Sequence, residues 1–198
     1  MPPLKSGRVA TAEAKDGGMA YLTLDDIKDF KGKVFLDRID TNVDLVNGNV
    51  PESEKMRAAL TTAAEISDKG GMVVLMDHQD RLGDVNFKEH LAEEAELMSA
   101  LIGKPITYVP DLFGPMAISA IKAMKPGDII MLKNVRSWGP ETEKLSAEDM
   151  ENSELVQQLS PYIDVVVNDA FSVSHRKNIS VVGFANKPTI VGRLLEKE

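Results

Sequence analysis

The sequence predicts an α/β fold with three layers (α/β/α) and a parallel sheet of about six strands. The first reason is that short apolar segments rich in β-branched residues alternate with segments of helical period after Gly32. The second is their spacing, which is typical of parallel sheets whose right-handed crossovers place helices on both faces. A length of 198 residues suits one such Rossmann-like domain, or at most a small pair.

Five apolar segments predict strands, and a weaker segment near residues 180–184 predicts a sixth. The five segments are 33–39, Met72–Met76, 106–109, 128–132 and 162–167. Helical periodicity predicts helices over 52–69, 87–102, 115–125 and 147–159. Glycines stop three of these helices, and Ser146 is placed to cap the fourth.

Composition and charge restrict the class of protein. The chain is 43% hydrophobic and 27% charged, as in most globular proteins. A net charge of −8 argues against nucleic acids and anionic membranes as partners. Without cysteine the chain has no disulfide, no thiolate metal site and no catalytic thiol, which is compatible with a cytoplasmic location. No apolar stretch approaches the ~18 residues needed to span a membrane.

The two ends of the chain differ from its middle. Residues 1–18 lack the apolar core of a secretory signal and predict a disordered leader, with Met19 as an alternative start. We expect one domain over residues 19–198. The last residues are charged helix formers, and Leu194 and Leu195 have no downstream partner, as expected where a linking helix continues.

Arginine residues follow four of the predicted strands. Because the carboxyl ends of parallel strands share one edge, where α/β proteins bind ligands, these side chains could converge. Guanidinium groups suit carboxylate and phosphate oxygens, so we predict a cleft for a small, multiply anionic ligand. The competing interpretation of any one segment is an Asx-stabilised turn or a surface feature. The four segments are Asp37 to Asn42, Asp77 to Arg81, Lys133 to Arg136, and Asn168 to Arg176.

Several other classes of site find no support in the sequence. No Gly-x-x-x-x-Gly-Lys-Ser/Thr loop is present and no Gly-x-Gly-x-x-Gly follows a strand, so the chain has no recognised nucleotide cradle. His78, His90 and His175 are not at zinc-ligand spacing, and no metal site is expected. Nothing marks Ser172 or Ser174 as a nucleophile on a strained turn.

In their order and spacing, the motifs RIDTNV, MDHQDR, LKNVR and VNDAFSVSHR resemble the substrate-domain motifs of the phosphoglycerate kinase family. FGPMAISAIKAMKPGDIIML, SVVGF and VGRLLEKE resemble its archaeal branch. The resemblance runs from about Met19 to Glu198 and covers only the amino-terminal half of that two-domain enzyme. It implies that Mg-ATP or Mg-ADP is held by the other half, so this chain itself is expected to bind no cofactor.

The resemblance implies a role for residues after the first two strands. Asp40 and Asn42 match residues that hydrogen-bond the hydroxyl and carboxylate end of 3-phosphoglycerate. His78 and Arg81 match a His-x-x-Arg loop that contacts this substrate. Arg38 matches a supporting arginine beside the site.

The resemblance also assigns the basic residues after the later strands. Arg136 and Arg176 match residues that clasp the substrate phosphate, and His175 directly precedes Arg176. A cleft lined by arginines suits a ligand with one carboxylate and one phosphate, which it positions without reacting with it. Phosphoryl transfer requires little covalent chemistry from the protein beyond alignment and charge stabilisation.

The candidate catalytic residue, Lys55, departs from the family pattern. The family has arginine at this point, in an Arg-Ile-Arg or Arg-Ile-Lys pattern, whereas this chain has Lys55-Met56-Arg57. Lysine keeps the charge but loses the bidentate fork. Arg57 cannot replace it, because two residues along a helix turn a side chain by roughly 200°. Asp77 and Asp80 add negative charge beside the predicted anion site.

Three functions follow from these motifs and departures. The favoured one is the 3-phosphoglycerate-binding half of a phosphoglycerate kinase, which catalyses reversible phosphoryl transfer between 1,3-bisphosphoglycerate and ADP. The second is a non-catalytic, stand-alone binding or regulatory module that retains the fold and part of the anion site. The third is one chain of a split enzyme, with a separately encoded nucleotide-binding domain as its partner. Whether the natural chain continues past Glu198 separates the first from the other two.

Overall fold

The computed structural model describes residues 21–170 and 177–197, and in this part of the chain it contains the predicted three layers. One sheet has the strand order β3-β4-β2-β1-β5-β6, and each neighbouring pair is parallel. Its strands are β1 (Val34–Arg38), β2 (Met72–Met76), β3 (Ile106–Tyr108), β4 (Ile129–Met131), β5 (Val165–Asn168) and β6 (Thr189–Val191). The helices are α1 (Glu54–Asp68), α2 (Ala92–Ile102), α3 (Pro115–Ala123), α4 (Ala147–Glu151), α5 (Glu154–Leu159), α6 (Ile179–Val182) and α7 (Arg193–Lys197).

The two faces of the sheet carry separate hydrophobic cores. Residues alternate along β1, so that Phe35 packs into one core and Leu36 into the other. The first core receives the apolar faces of α1 and α2. The second receives α3, α4, α5 and α6. Because the inner strands are covered on both faces, they read in the sequence as short continuous apolar runs.

The prediction of a strand near residues 180–184 is wrong. This segment forms α6, because the backbone carbonyl of Asn178 accepts hydrogen bonds from the N–H groups of Val181 and Val182 and begins the helical turn. The Ser180 N–H donates to the Glu141 side chain (2.9 Å) and is therefore not free for a sheet. The sixth strand is β6, which pairs with β5 and, through an isolated bridge from Val191, with Thr23.

Two predicted helices have different bounds in the structure. The segment 147–159 forms two helices, α4 and α5, because Ser153 adopts an extended conformation (φ −61°, ψ 151°) and begins a second helix. Ser146 caps α4 as predicted, accepting from the Asp149 N–H (3.1 Å). The helix predicted to begin at Phe87 begins at Ala92. Bounds of α1 and α3 differ from the prediction by at most two residues.

The late start of α2 has a local cause. The carbonyl of Lys88 accepts from the Asn134 side chain (2.6 Å), and the carbonyl of Glu89 accepts from the Asn134 backbone N–H (3.3 Å). Helical residues would use these carbonyls for i→i+4 hydrogen bonds. The loop after β4 therefore takes acceptors that the first turn of a longer helix would need.

Some predictions about the ends of the chain are not tested by the structure. Residues 1–18 lie outside the described ranges, and the expected disordered leader stays a prediction. Within the described ranges, no helix combines the length and the apolar character needed to cross a membrane.

Asp37 is an anomaly at the centre of the sheet. It lies on β1 with no solvent exposure, and neither carboxylate oxygen has a hydrogen-bond partner within residues 21–170 and 177–197. Burial raises the pKa of Asp37 well above its ordinary value, and the neighbouring carboxylates of Asp169 and Asp77 raise it further, while Arg38 opposes the shift. A partnerless buried carboxyl destabilises the folded state, and it does so most when ionised.

We therefore expect Asp37→Leu to stabilise the domain at neutral pH by roughly 1–3 kcal/mol, the typical cost of an unsatisfied buried polar group. Because the pKa of Asp37 is higher in the folded than in the unfolded state, its destabilising effect is smallest below pH ~4. The effect grows as pH rises toward the folded-state pKa. Asp37→Asn should make the resulting decline of stability with pH shallower. Urea unfolding of both variants at several pH values measures the two effects.

The matched control is Glu151→Gln, a carboxylate-to-amide change on the exposed surface of α4. It should change the free energy of unfolding by less than about 0.5 kcal/mol at any of these pH values. A destabilised Asp37→Leu protein, or a pH profile of Asp37→Asn identical to that of the unaltered chain, would contradict this account of Asp37.

Candidate functional site

Polar loops meet where β1, β2 and β4 end, at one edge of the sheet. The helix α1 begins above this edge, where the Ser53 side chain caps it by accepting from the Met56 N–H (3.1 Å). This cap fixes the direction in which the first turn leaves the loop, and Lys55 lies in that first turn. The candidate catalytic residue is thereby placed beside the loop that follows β1.

Lys55 contacts two of the predicted substrate-binding residues. Its Nζ lies 2.9 Å from Oδ1 of Asp40 and donates to the backbone carbonyl of Asn42 (3.2 Å). The Asp40 carboxylate is buried, whereas the Lys55 side chain is 38% exposed. The same Asp40 oxygen accepts from the Asn42 N–H (3.1 Å), which fixes the turn. The Lys55 side chain is therefore partly open to solvent, whereas its carboxylate partner is buried.

His78 connects Asp40 to Arg38. The His78 Nδ1 atom lies 3.0 Å from Nη2 of Arg38, and its Nε2 atom lies 3.9 Å from Oδ1 of Asp40. All three side chains are nearly inaccessible to solvent. The loops after β1 and β2 are thus joined through side chains.

The loop after β4 joins the same cluster. Nη1 of Arg136 lies 3.5 Å from the Asp80 carbonyl, and the Asp80 N–H donates to Oδ1 of Asn42 (3.0 Å). Asn134 holds this loop in place: its side chain donates to the Gln79 carbonyl (2.9 Å) and accepts from the Arg136 N–H (2.9 Å). The chain of contacts therefore runs from Arg136 to Asn42 and on to Lys55.

The structure brings part of the predicted set into contact. Contacts join Arg38, Asp40, Asn42, Lys55, His78 and Arg136. Arg81 lies three residues after His78 in an exposed turn, where its N–H donates to the Asp84 side chain (3.1 Å). His175 and Arg176 lie outside the described residues, so their place in the cleft stays a prediction.

Arg38 is buried, and neither solvent nor a ligand at the surface reaches its side chain. Its side chain is 1% exposed, and its Nε donates to the hydroxyl of Ser180 (2.8 Å) on α6. One Nη donates to the carbonyls of Ile39 and Met76, and the other contacts His78. A guanidinium buried this deeply needs acceptors on all sides, and separate segments around β1, β2 and α6 provide them.

Buried carboxylates balance the charge of Arg38. Asp77 lies 3.8 Å from Arg38 and accepts from both the N–H (3.1 Å) and the hydroxyl of Thr41. Burial raises the pKa of Asp77 to about 6, while Arg38 and Thr41 oppose the shift. Asp77 is therefore paired inside the protein and does not repel an anion from the cleft as an unpaired carboxylate would.

Glu141, which sequence reasoning did not single out, completes this buried network. It is fully buried in a 3₁₀ segment, Gly139–Thr142, and accepts from Ser180 and Asn178. Burial raises the pKa of Glu141, and Arg38 is the main influence that opposes the rise. No local pattern indicates this role, because its partners lie almost 40 residues further along the chain.

A metal ion fits this cluster poorly. Asp40, Asp77 and His78 offer ligand atoms within 4.8 Å of one another. However, Lys55 already occupies one oxygen of Asp40, and Arg38 approaches both Asp77 and His78. A divalent cation would have to enter beside two fixed positive charges. Two cationic donors and one carboxylate acceptor can instead contact an anion that carries a hydroxyl.

This chain is similar in sequence to phosphoglycerate kinases. The phosphoglycerate kinase family model matches residues 24–198. The phosphoglycerate kinase of Methanosarcina mazei is 37% identical over 180 residues, which are 90% of this chain and 42% of that protein. That of Methanothermobacter thermautotrophicus is 38% identical over 181 residues, 90% of this chain and 44% of that protein.

Solved structures give the same result. The crystal structure of the Pyrococcus horikoshii phosphoglycerate kinase matches with a TM-score of 0.85 and 34% identity, covering 89% of this chain and 43% of that one. The Coxiella burnetii enzyme matches with a TM-score of 0.69 and 26% identity. This chain spans less than half the length of these relatives. The family model, the identity to the relatives and the shared fold agree, and the chain belongs to the phosphoglycerate kinase family.

Proposed function

We propose that this chain binds 3-phosphoglycerate and forms the substrate-binding half of a phosphoglycerate kinase. The observation that carries the proposal is the arrangement around Asp40, where a buried carboxylate lies between the ammonium of Lys55 and the imidazole of His78. Such a group of one acceptor and two donors suits a ligand that has a hydroxyl next to a carboxylate.

The phosphate of the ligand requires further positive charge. Arg136 belongs to the contacting cluster, and Arg81 follows His78 on the same loop. Arg176, which the resemblance assigns to the phosphate, completes the proposed set. The net charge of the chain is −8, so these cations would make the carboxyl edge of the sheet a locally positive region of an acidic protein.

The catalytic reaction would be reversible phosphoryl transfer between 1,3-bisphosphoglycerate and ADP. The nucleotide would be bound by a second domain, because this sequence contains no recognised nucleotide cradle. Closure of two domains excludes water and brings the phosphoryl donor to the bound substrate. Lys55, in the first turn of α1, would then place its charge near the group being transferred.

One observation favours the alternative of a non-catalytic anion-binding or regulatory module. The Lys55 ammonium already donates to Asp40 and to the Asn42 carbonyl, so at most one of its three N–H groups remains for a ligand. A lysine held in this way offers a single point charge, whereas an arginine would offer a second arm. Turnover by a two-domain form separates the two functions.

Binding is tested by calorimetric titration of the chain with 3-phosphoglycerate. We expect one site whose affinity falls as salt is added, because charge pairs on an exposed edge are screened. Inorganic phosphate and glycerate should each bind more weakly than the complete ligand. A folded protein that shows neither heat nor NMR shifts with millimolar 3-phosphoglycerate would contradict the proposal.

Arg81→Met should weaken 3-phosphoglycerate binding roughly 10- to 100-fold, the effect of losing one hydrogen bond to a charged group. Because Arg81 lies in an exposed turn, the melting temperature should hardly change. The control is Arg57→Met, which removes an exposed arginine of α1 that pairs with Glu52. Equal affinities of the two variants would exclude Arg81 from the site.

Lys55→Arg should increase turnover when the chain is joined to a nucleotide domain from an archaeal relative. Losing a preorganised donor typically costs ~10²–10³ in rate, and since lysine keeps the charge we expect a gain of about 10² or less. The isolated chain should show no turnover. Arg57→Lys, two residues along α1, serves as the control and should leave the rate unchanged. An unchanged or lower rate in Lys55→Arg would place residue 55 away from the transferred group.

A further inference from the structure

Glu141 is bound so tightly that its orientation is fixed. Its Oε2 accepts from the Ser180 N–H (2.9 Å), and its Oε1 accepts from the Ser180 hydroxyl (2.5 Å) and from the Asn178 side chain (3.2 Å). All three groups donate a hydrogen bond to the carboxylate. The carboxylate is therefore the last acceptor of a buried hydrogen-bond chain that begins at Arg38.

The Ser180 hydroxyl carries that chain in one direction only. A serine hydroxyl has a single hydrogen, and here it points to Glu141. The lone pairs of its oxygen then face Nε of Arg38, which lies 2.8 Å away and can only donate. The order of donation is thus Arg38 to Ser180 to Glu141, and Glu141 fixes the position of the Ser180 oxygen that Arg38 contacts.

At the other end of Arg38, the Nη2 atom determines which ring nitrogen of His78 carries the hydrogen. Guanidinium nitrogens have no acceptor capacity, so Nδ1 of His78, 3.0 Å from Nη2, must accept. A neutral imidazole that accepts at Nδ1 carries its hydrogen at Nε2. That nitrogen lies on the side of Asp40, 3.9 Å from its carboxylate. His78 therefore presents a donor toward the proposed ligand.

We propose that Glu141 is a positioning residue that, through Ser180 and Arg38, holds His78 in the tautomer whose Nε2–H faces the anion site. Glu141 itself is fully buried and acts only through these two residues. The inference about ligand binding rests on the proposed function, whereas the inference about the His78 tautomer does not. Supporting groups of this kind orient a ring by fixing the partner of its other nitrogen.

Nitrogen NMR of the imidazole rings tests this proposal in the free protein. With the His78 signal assigned by a His78→Gln variant, the unaltered chain should show His78 in the Nε2–H form alone. Glu141→Gln keeps the shape of the side chain but directs an NH₂ group at one of its former donors. We expect a mixture of tautomers in this variant and an affinity for 3-phosphoglycerate that is about tenfold lower.

Two variants keep the test decisive. Ser180→Ala interrupts the same chain and should change the tautomer in the same direction even if Glu141→Gln does not fold. Glu143→Gln, an exposed glutamate two residues further along, should change nothing. A role of Glu141 in stability alone would lower the melting temperature of Glu141→Gln without altering the tautomer.

The outcomes for the two proposals are distinguishable. His78 in the Nδ1–H form in the unaltered chain, or an unchanged tautomer in both Glu141→Gln and Ser180→Ala, would overturn the positioning role whether or not 3-phosphoglycerate binds. A tautomer that shifts as expected in a protein that does not bind 3-phosphoglycerate would support the positioning role and refute only the proposed ligand.

Discussion

The buried guanidinium of Arg38 is the constraint on which the carboxyl edge of this domain depends. A cation with 1% exposure costs several kcal/mol of desolvation unless it is surrounded by acceptors. Here the acceptors come from the chain just after β1, from the end of β2, and from α6. Satisfying one side chain therefore requires three separate segments of the chain to adopt a single arrangement, and that arrangement lies next to the residues of the candidate site.

Negative charge is distributed unevenly around this cation. Asp77 and Glu141 balance it directly or through Ser180. Asp169 has a different partner: it accepts from the Thr62 hydroxyl and from the Leu194 and Leu195 N–H groups (2.9 and 3.0 Å), and so anchors α7. The site and the last helix are thus held by separate carboxylates.

Buried carboxyls without such partners make the stability of the domain depend on pH. Besides Asp37, Glu94 on α2 has no hydrogen-bond partner for either side-chain oxygen in the described part of the chain, and burial raises its pKa to about 7. A pKa that is raised in the folded state gives a contribution to stability that is lost as pH increases through that value. By contrast, Arg193 lowers the pKa of Glu65 to about 2. A lowered pKa gives a contribution to stability that is present at neutral pH and is lost as pH falls toward that value.

The sequence indicated the sheet well because its strands are buried on both faces and leave unmistakable apolar runs. Arginine at four strand ends also predicts that loops meet at one edge of the sheet, and the loops after β1, β2 and β4 do meet there. That this edge binds an anion stays a prediction. The failures have a common cause. The apolar pattern near Ser180 predicts a strand. The contact with Glu141 that prevents a strand spans 39 residues and leaves no local pattern. Likewise, the burial of Arg38 depends on contacts with other loops and could not be deduced from its position after a strand.

Arg38 holds the loops of the site together as a buried structural charge. The most direct test compares the free energy of unfolding of Arg38→Met with that of Arg57→Met, a matched change on the exposed surface of α1. Removing Arg38 leaves Asp77 and Glu141 without their cation, so we predict a loss of roughly 3–5 kcal/mol, against less than about 0.5 kcal/mol for the surface variant. Equal stability of the two variants would contradict the account.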